Sequence, residues 1–287
     1  MRLAVICSHF NSGEFHVPRR NLLRFLRQME SLGIPVFVAE LAYEGREFFL
    51  PHGPQVFHFR TDRSNVLWHK ENLLNIAAAL VPSEYESLAW IDPDILFMSE
   101  DWVEQAELRL QSFAVVQLFS EVWLTDEDGR CYKRVRSAMA DGVLDMSLNH
   151  PGFAWAARRD LWRRAGGLCE LAILGGGDAV FAAACLRNEA PTWLNYPEWK
   201  AWTDRSSTWI HENGGAGVVS GTIVHEWHGD AKDRSYVMRH FLLEGVDISR
   251  SVVRRKDGIL QFSDSVSDRL RQAIQSYFGY RREDGRS

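Results

Sequence analysis

The chain predicts an α/β fold, a mostly parallel sheet flanked by helices with a mixed second half. Three observations predict it. Short apolar runs alternate with helical patterns through the first hundred residues. Those runs lack the polar alternation of half-exposed strands, as expected for strands covered on both faces. A length of 287 residues, 46% hydrophobic and 25% charged, is ordinary for a globular chain, and such a chain can bury about three quarters of its unfolded surface.

Leu3-Ala-Val-Ile-Cys7 reads as the first buried strand, and a polar loop from Ser8 to His16 follows. Pro18 is placed to open a helix with Leu22, Leu23, Leu26 and Met29 at helical spacing and Gly33 as its stop. Pro35-Val-Phe-Val-Ala39 is a second strand ending at Glu40, and Gln55-Val-Phe-His-Phe59 a third. A helix from about Ser64 to Leu80 carries Leu73, Leu74, Ile76 and Ala77, and Pro82 closes it. Leu88-Ala-Trp-Ile91 is the next strand. Strands alternating with helices in this way give a nucleotide-binding type of architecture.

The second half changes character. Phe113-Ala-Val-Val-Gln117 is a strand, Leu118–Tyr132 a hairpin and Phe153-Ala-Trp-Ala156 a further strand. Helices are expected over Arg159–Ala165, Asp178–Arg187, Asp233–Glu244 and Ser265–Tyr277. Between Pro191 and Gly221 aromatics and Gly crowd together with little periodicity, which reads as irregular. No repeat, low-complexity tract or linker divides the chain. The expectation is one domain over 1–287, with a first half 1–112, a second half 113–230 and a helical, basic part 231–287.

The apolar run after Met1 is too short for a signal peptide, and no stretch reaches membrane length. The four cysteines are scattered without a CxxC pair, so reduced, mostly buried thiols and a cytoplasmic setting are expected. Net charge is −5 overall, yet 231–287 holds 12 Lys/Arg against 8 Asp/Glu, a net of +4. A solvated mixed-charge face accounts for that excess, and the molecule as a whole has no nucleic-acid footprint.

Asp92-Pro-Asp94 follows the fourth strand at once and is followed by Ile95-Leu-Phe97. A buried strand thus delivers two carboxylates to its end, where open α/β sheets form their ligand sites. Hard oxygen ligands there suit Mg²⁺ or Mn²⁺, which would hold a diphosphate. Pro93 stiffens the pair by fixing its own φ and biasing Asp92 to extended backbone. With Asp at 18 of 287 positions, an Asp-x-Asp arises by chance about once. Asp126-Glu-Asp128, followed by Gly129, is explained as a hairpin turn.

Trp68-His-Lys-Glu-Asn-Leu-Leu-Asn75, the Asp92-Pro-Asp94 strand, Pro151-Gly-Phe-Ala-Trp-Ala156, Gly166-Gly167, Gly175-Gly-Gly-Asp178 and His225-Glu-Trp-His228 occur in that order. Together they resemble nucleotide-sugar-dependent glycosyltransferases of the GT-A fold, in particular glycosyltransferase family 2 and the β-1,4-galactosyltransferases. The resemblance runs from Leu3 to about Arg239, and the order of the pieces is its specific part. It implies a Rossmann-like GT-A fold with a mixed acceptor-side half and a metal-dependent, inverting transfer of a hexose, from a UDP-sugar above all, to a hydroxyl.

The resemblance implies Mn²⁺ or Mg²⁺ on Asp94, Asp92 and His228, with Asp92 also reaching the donor. Arg234 and Tyr236 are the expected diphosphate contacts, and Lys70 is their counterpart on the earlier helix. Phe10, Asn11 and Glu40 are placed for the donor's base and ribose. Asp178 is the expected general base, with a glycine turn and a helix cap as the plain alternative. Galactosyltransferases carry a Glu-Asp pair there, and this chain has Gly177-Asp178. Gly176 and Gly177 would let an acceptor sugar approach the bare backbone, and Trp199 and Trp202, among the aromatics of that region, would stack on it. His225 reads as a core or second-layer histidine, and Arg239 as a further phosphate contact or, equally, a surface ion-pair partner.

Three other readings remain. The same chemistry could act on 5-hydroxymethylpyrimidine in DNA, as in bacteriophage-type glycosyltransferases. A sugar-phosphate nucleotidyltransferase would carry a Gly-rich basic loop after the first strand, where this chain has Ser8-His-Phe-Asn-Ser-Gly13. A non-catalytic carbohydrate-binding protein would keep the aromatics alone.

Overall fold

The computed structural model describes residues 2–285 apart from 190 and 195. In chain order the elements are β1 (Leu3–Phe10), α1 (His16–Ser31), β2 (Val36–Tyr43), β3 (Val56–Thr61), α2 (Lys70–Leu80), β4 (Ser87–Ile91), β5 (Ile95–Phe97) and α3 (Trp102–Leu110). There follow β6 (Val115–Gln117), β7 (Glu121–Thr125), β8 (Cys131–Ser137), the short α4 (Ala138–Asp141), β9 (Asn149–His150) and β10 (Ala154–Arg158). The rest comprises α5 (Gly177–Leu186), α6 (Pro197–Glu212), β11 (Ala216–Val218), β12 (Thr222–His225), the single turn α7 (Ile248–Ser251), β13 (Val252–Arg254), β14 (Leu260–Phe262) and α8 (Asp268–Gly279).

A seven-stranded sheet runs in the order β11-β6-β10-β4-β1-β2-β3. All its neighbours are parallel except β10, which is antiparallel to β4 and β6. Side chains alternate across β1: Ala4 and Ile6 join the core with α2 and α5, while Leu3, Val5 and Cys7 join the core with α1 and α3. This period of two, with both faces covered, is why the strand is apolar throughout. The chain moves from β1 outward to β2 and β3, then returns to β4 on the other side of β1. That reversal opens a crevice at the carboxyl ends of β1 and β4. A second sheet, β5-β12-β7-β8-β9, stands beside it and draws on three separated parts of the chain.

Some elements go unassigned in the sequence reading, such as α3, β13 and β14. The helix expected over Arg159–Ala165 is a single π turn at Leu161–Ala165. Beyond these, the structure departs from the sequence reading at three places. The expected helix from Ser64 starts only at Lys70, because other bonds take the preceding backbone: Trp68 N–H donates across the fold to Ile173 O at 2.8 Å, and Ser64 N–H donates locally to Asp62 Oδ1 at 2.6 Å. The region expected to be irregular holds α6, a helix of 16 residues with Pro197 in its first turn and Trp199, Trp202, Ser206, Trp209 and Ile210 buried along one face. The expected helix from Asp233 is instead two 3-10 turns, Ala231–Arg234 and Met238–Leu243. Ser235 between them has φ 45°, a left-handed conformation that ends a helix.

All four cysteines are free; Cys7, Cys169 and Cys185 are buried and Cys131 is exposed. Among the described residues no helix is long and apolar enough to cross a membrane. Within 231–287, Arg250, Arg255 and Arg281 pair with Asp247, Asp257 and Glu283 of the same segment and Arg254 with Glu170 outside it, while Arg234 and Arg239 are buried. Lys232, Arg250, Lys256, Asp264, Asp268 and Arg269 are exposed, in keeping with the solvated mixed-charge face expected from composition.

Candidate active site

Asp92, Pro93 and Asp94 form the turn from β4 of the large sheet to β5 of the second. Asp92 N–H donates to Phe153 O at 2.8 Å, and Asp94 O accepts from Glu226 N–H at 2.8 Å. The two aspartates are therefore anchored to different walls and their carboxylates part company. Phe153 has φ 77°, a costly backbone state for a bulky residue. Its ring is stacked on His150 at 3.6 Å and near His225 at 4.6 Å, and those contacts hold the carbonyl toward Asp92.

Asp94 faces two histidines. Its Oδ2 lies 2.9 Å from His228 Nε2 and 3.7 Å from His225 Nε2, and the two Nε2 atoms are 3.3 Å apart. The three residues could together hold a metal ion. His225 reaches this position because β12 pairs with β5 in a register that sets His225 opposite Ile95. Burial lowers its pKa to about 3 despite Asp94, which favours the neutral ring that ligates metals. Burial works against the charge of Asp94, but His225, His228 and Arg234 outweigh it and hold that pKa well below the usual range. Asp94 Oδ1 is buried without a hydrogen-bond partner among the described residues, as a ligand atom would be. These observations fit a cation.

Asp92 turns the other way. Its Oδ1 lies 2.6 Å from Lys70 Nζ, which also lies 3.1 Å and 3.0 Å from the two carboxylate oxygens of Asp178. Lys70 opens α2 and is 6% exposed. Burial opposes its charge, but Asp178, Asp92 and Glu71 more than offset that and raise its pKa. Burial pushes Asp92 up to about 7; Lys70 opposes the rise, while Asp178 and Asp94 add to it. Asp92 is thus paired with Lys70, and the group that could hold a metal ion is Asp94 with His225 and His228.

Asp178 stands in the first turn of α5, whose N-cap is Gly176 at φ 97° with no side-chain cap bond. Asp178 is therefore not a capping residue, and its carboxylate is directed at Lys70. It packs on the bare backbone of Gly152, where a Cβ would come 2.7 Å from Asp178 Oδ2. Gly177 is close-packed too: a side chain there would collide with the carboxyl of Glu71. Gly177 makes room for Glu71 and not for a sugar, whereas Gly176 lines the cleft.

The cleft gathers Phe10, Asn11, Lys70, Asp92, Asp94, Asp178, His228, Arg234 and Tyr236, as the sequence reading expected. Phe10 sits edge-on to Trp68 at 5.3 Å. Asn11 also braces its loop through Phe15 O at 2.7 Å and Phe15 N–H at 3.0 Å. Arg234 donates to His228 O at 3.0 Å and Tyr236 OH at 2.9 Å. Besides Gly177, three expected residues lie elsewhere. Glu40, 2% exposed, accepts from Phe49 N–H and Leu50 N–H at 2.5 Å and 3.0 Å and so ties down a loop. Trp199 donates to Leu171 O at 3.1 Å, and Trp202 packs 6.0 Å from Phe181; both are core residues of α6.

Further residues complete the cleft, and of these the sequence singled out Trp193 and Arg239 but not His150, Arg281 or Glu283. His150, Trp193, Arg239, Arg281 and Glu283 all line it. The last two belong to a C-terminal segment that folds back over the site. Asp284 accepts from His16 N–H and Val17 N–H at 2.8 Å and 2.7 Å, capping α1 from a distance, and Arg281 stacks 4.7 Å over Trp68. Only the basic bias of 231–287 hinted at a role for these residues.

No family model matches the sequence, and no curated protein matches it. Solved structures do. The catalytic domain of Drosophila β1,4-galactosyltransferase 7 in complex with xylobiose is 14% identical over 77% of this chain and 64% of that one, with a TM-score of 0.40. The chain thus spans under two thirds of that domain. Glucosyl-3-phosphoglycerate synthase from Mycobacterium tuberculosis, in complex with Mn²⁺, UDP-glucose and phosphoglyceric acid, is 10% identical over 91% of this chain and 86% of that one, with a TM-score of 0.43. A putative glucose-1-phosphate thymidylyltransferase from Bacillus anthracis in complex with a sucrose is 9% identical over 89% and 98%, with a TM-score of 0.39. The chain is in this distant sense similar to GT-A-type glycosyltransferases and to a nucleotidyltransferase, and its function is argued from its own cleft.

Proposed function

We propose that the chain is a metal-dependent glycosyltransferase that moves a hexose from a nucleotide sugar, a UDP-sugar in the first instance, to an acceptor hydroxyl with inversion. The reading is carried by one arrangement: Asp94, His225 and His228 cluster on one wall of a switch-point crevice while Asp178 faces the same crevice from the opposite helix. Asp94, His225 and His228 would hold the divalent cation, which supplies positive charge against a diphosphate leaving group. Two imidazoles beside one carboxylate favour Mn²⁺ over Mg²⁺, which prefers oxygen.

The chain's own residues have separable tasks in this reading. Arg234, 7% exposed with an unpartnered buried Nε, and Tyr236 bind the diphosphate. Phe10 and Asn11, at the end of β1, border the donor's base. Asp178 takes the proton of the attacking hydroxyl as general base, and Lys70 positions it from behind through the bonds described above. A single domain over 1–287 carries both halves of this site.

The test is a nucleotide-sugar panel with Mn²⁺, scoring nucleotide release against neutral and charged saccharides and against hydroxymethylated DNA. Product anomers read by NMR decide inversion. Release of free nucleoside diphosphate that is lost on Asp94→Asn supports the reading. Turnover unaffected by Asp94→Asn, or pyrophosphate as the product, overturns it.

A further inference from the structure

We infer that the acceptor carries an anionic group, a phosphate or a carboxylate, received by Arg239 at the glycine turn leading into Asp178. The word acceptor rests on the glycosyltransferase reading; the anion site stands on its own observations.

Arg239 is 6% exposed, and Tyr277, His240 and Tyr236 are the side chains it is seen to touch. Its Nη1 donates to Tyr277 OH at 3.0 Å, its Nε faces His240 Nε2 at 3.4 Å, and its guanidinium lies 5.2 Å from the Tyr236 ring centroid. Among the described residues it forms no ion pair with a carboxylate, unlike Arg281, which is equally buried and pairs with Glu283. Burial and Arg239 together hold the pKa of His240 down at about 3, so that ring adds no charge, and its Nδ1 is buried without a partner. A buried guanidinium without a counter-charge costs several kcal/mol. The planar fork is suited to two-point binding of carboxylate or phosphate.

Its place in the cleft says which substrate supplies that anion. Gly175, at φ 84°, has no side chain where a Cβ would come 2.8 Å from Arg239 Nη2. Gly176 lines the cleft next to it, and α5 starts there without a side-chain cap, so its first amides add positive potential at the same turn. Asp178 follows two residues later. The diphosphate side is served by a different arginine: Arg234 bonds His228 O, and its charge acts on Asp94. Tyr236 separates the two, its hydroxyl on Arg234 and its ring under Arg239. Two anion positions, one per substrate, flank a single tyrosine.

The test is calorimetry on the full chain, first with UDP and Mn²⁺, then with inorganic phosphate, glucose, glucose 6-phosphate and glucuronate as probes. The expected result is at least tenfold tighter binding of one charged sugar than of glucose. That gain should be lost in Arg239→Gln, partly kept in Arg239→Lys, and competed by inorganic phosphate. Circular dichroism establishes that each variant is folded, and the wild-type series needs no variant. Equal binding of the three sugars, absence of Arg239-dependent binding of any charged probe, or a loss of UDP affinity in Arg239→Gln as large as the loss of the anion overturns the inference. Failure of UDP to bind with Mn²⁺ counts against the glycosyltransferase reading alone, since the phosphate arm still reports on Arg239.

Discussion

Lys70 Nζ lies 2.6 Å from Asp92 Oδ1 and bridges it to Asp178. The first residue of α2 thereby couples the strand-end carboxylate to the first turn of α5. Removing the ammonium leaves two partly buried carboxylates facing one another, and losing one partner of such a group costs about 3 kcal/mol. Lys70→Gln should lower stability by that order, read from urea unfolding. Asp92→Asn in the same background should recover part of it. Additive losses would mean that the bridge is not the coupling.

The split between the two aspartates gives a second expectation. Asp94→Asn and His225→Ala should each weaken Mn²⁺ binding at least tenfold, measured by electron paramagnetic resonance of free Mn²⁺. Asp92→Asn should weaken it less, because its carboxylate is on Lys70. Asp128→Asn should do nothing: Asp128 pairs with Arg130 in the β7–β8 turn, where Gly129 has φ 78°. Equal effects of Asp92→Asn and Asp94→Asn would restore both aspartates to the metal.

What was legible in the sequence and what was not follows from how far apart the determinants lie. β1, β4 and the Asp92-Pro-Asp94 turn are set by local apolar runs and one proline, and they stand where the pattern put them. The face of α6 was also written locally, in Trp199, Trp202, Ser206, Trp209 and Ile210 after Pro197. Its aromatics suit a sugar wall as well as a core, and only packing against α5 decides between them. His225 could not be placed from its neighbours, since its role depends on β12 pairing with β5 more than a hundred residues earlier. The same holds for Arg281 and Glu283, brought in by the anchor of Asp284 on α1. Glu40 looked like a strand end only because β2 was read three residues short of Tyr43.

Glu71 predicts a pH dependence. Burial raises its pKa from 4.5 to about 8, with Lys70 opposing and Asp178 and Asp92 adding to the rise. The folded chain then holds a proton that the unfolded chain releases above pH 4.5, so Glu71 costs increasing stability as pH rises from about 4.5 to about 8. Glu71→Gln removes that term. The gap between variant and wild type should widen in the variant's favour by a few kcal/mol (order of magnitude) across this window. Thermal and urea unfolding at several pH values read it, and parallel profiles would refute the buried neutral carboxyl.

Gly177 should matter through Glu71. Gly177→Ala places a methyl against the Glu71 carboxyl, and overpacking of this kind costs about 1–3 kcal/mol. Combining it with Glu71→Ala relieves the clash, so a double-mutant cycle should return a coupling of about 1 kcal/mol or more. Were Gly177 instead open to an acceptor, the substitution would raise acceptor KM and leave unfolding unchanged.

Asp178 carries the sharpest expectation. Its carboxylate faces the cleft, is held by Lys70 and is not needed to cap α5. Asp178→Asn keeps the shape and removes the base, so transfer should slow at least about a hundredfold while UDP affinity stays within about twofold. The amide also leaves Lys70 with Asp92 as its remaining described partner, which lowers stability without abolishing the fold. Rescue separates the two effects: in Asp178→Ala, which empties the position, a small exogenous carboxylate such as formate should restore turnover and should not restore melting temperature. A variant that loses donor binding together with turnover, or that formate cannot revive while still binding UDP and acceptor, would assign Asp178 to holding Lys70 in place and leave proton removal to another group.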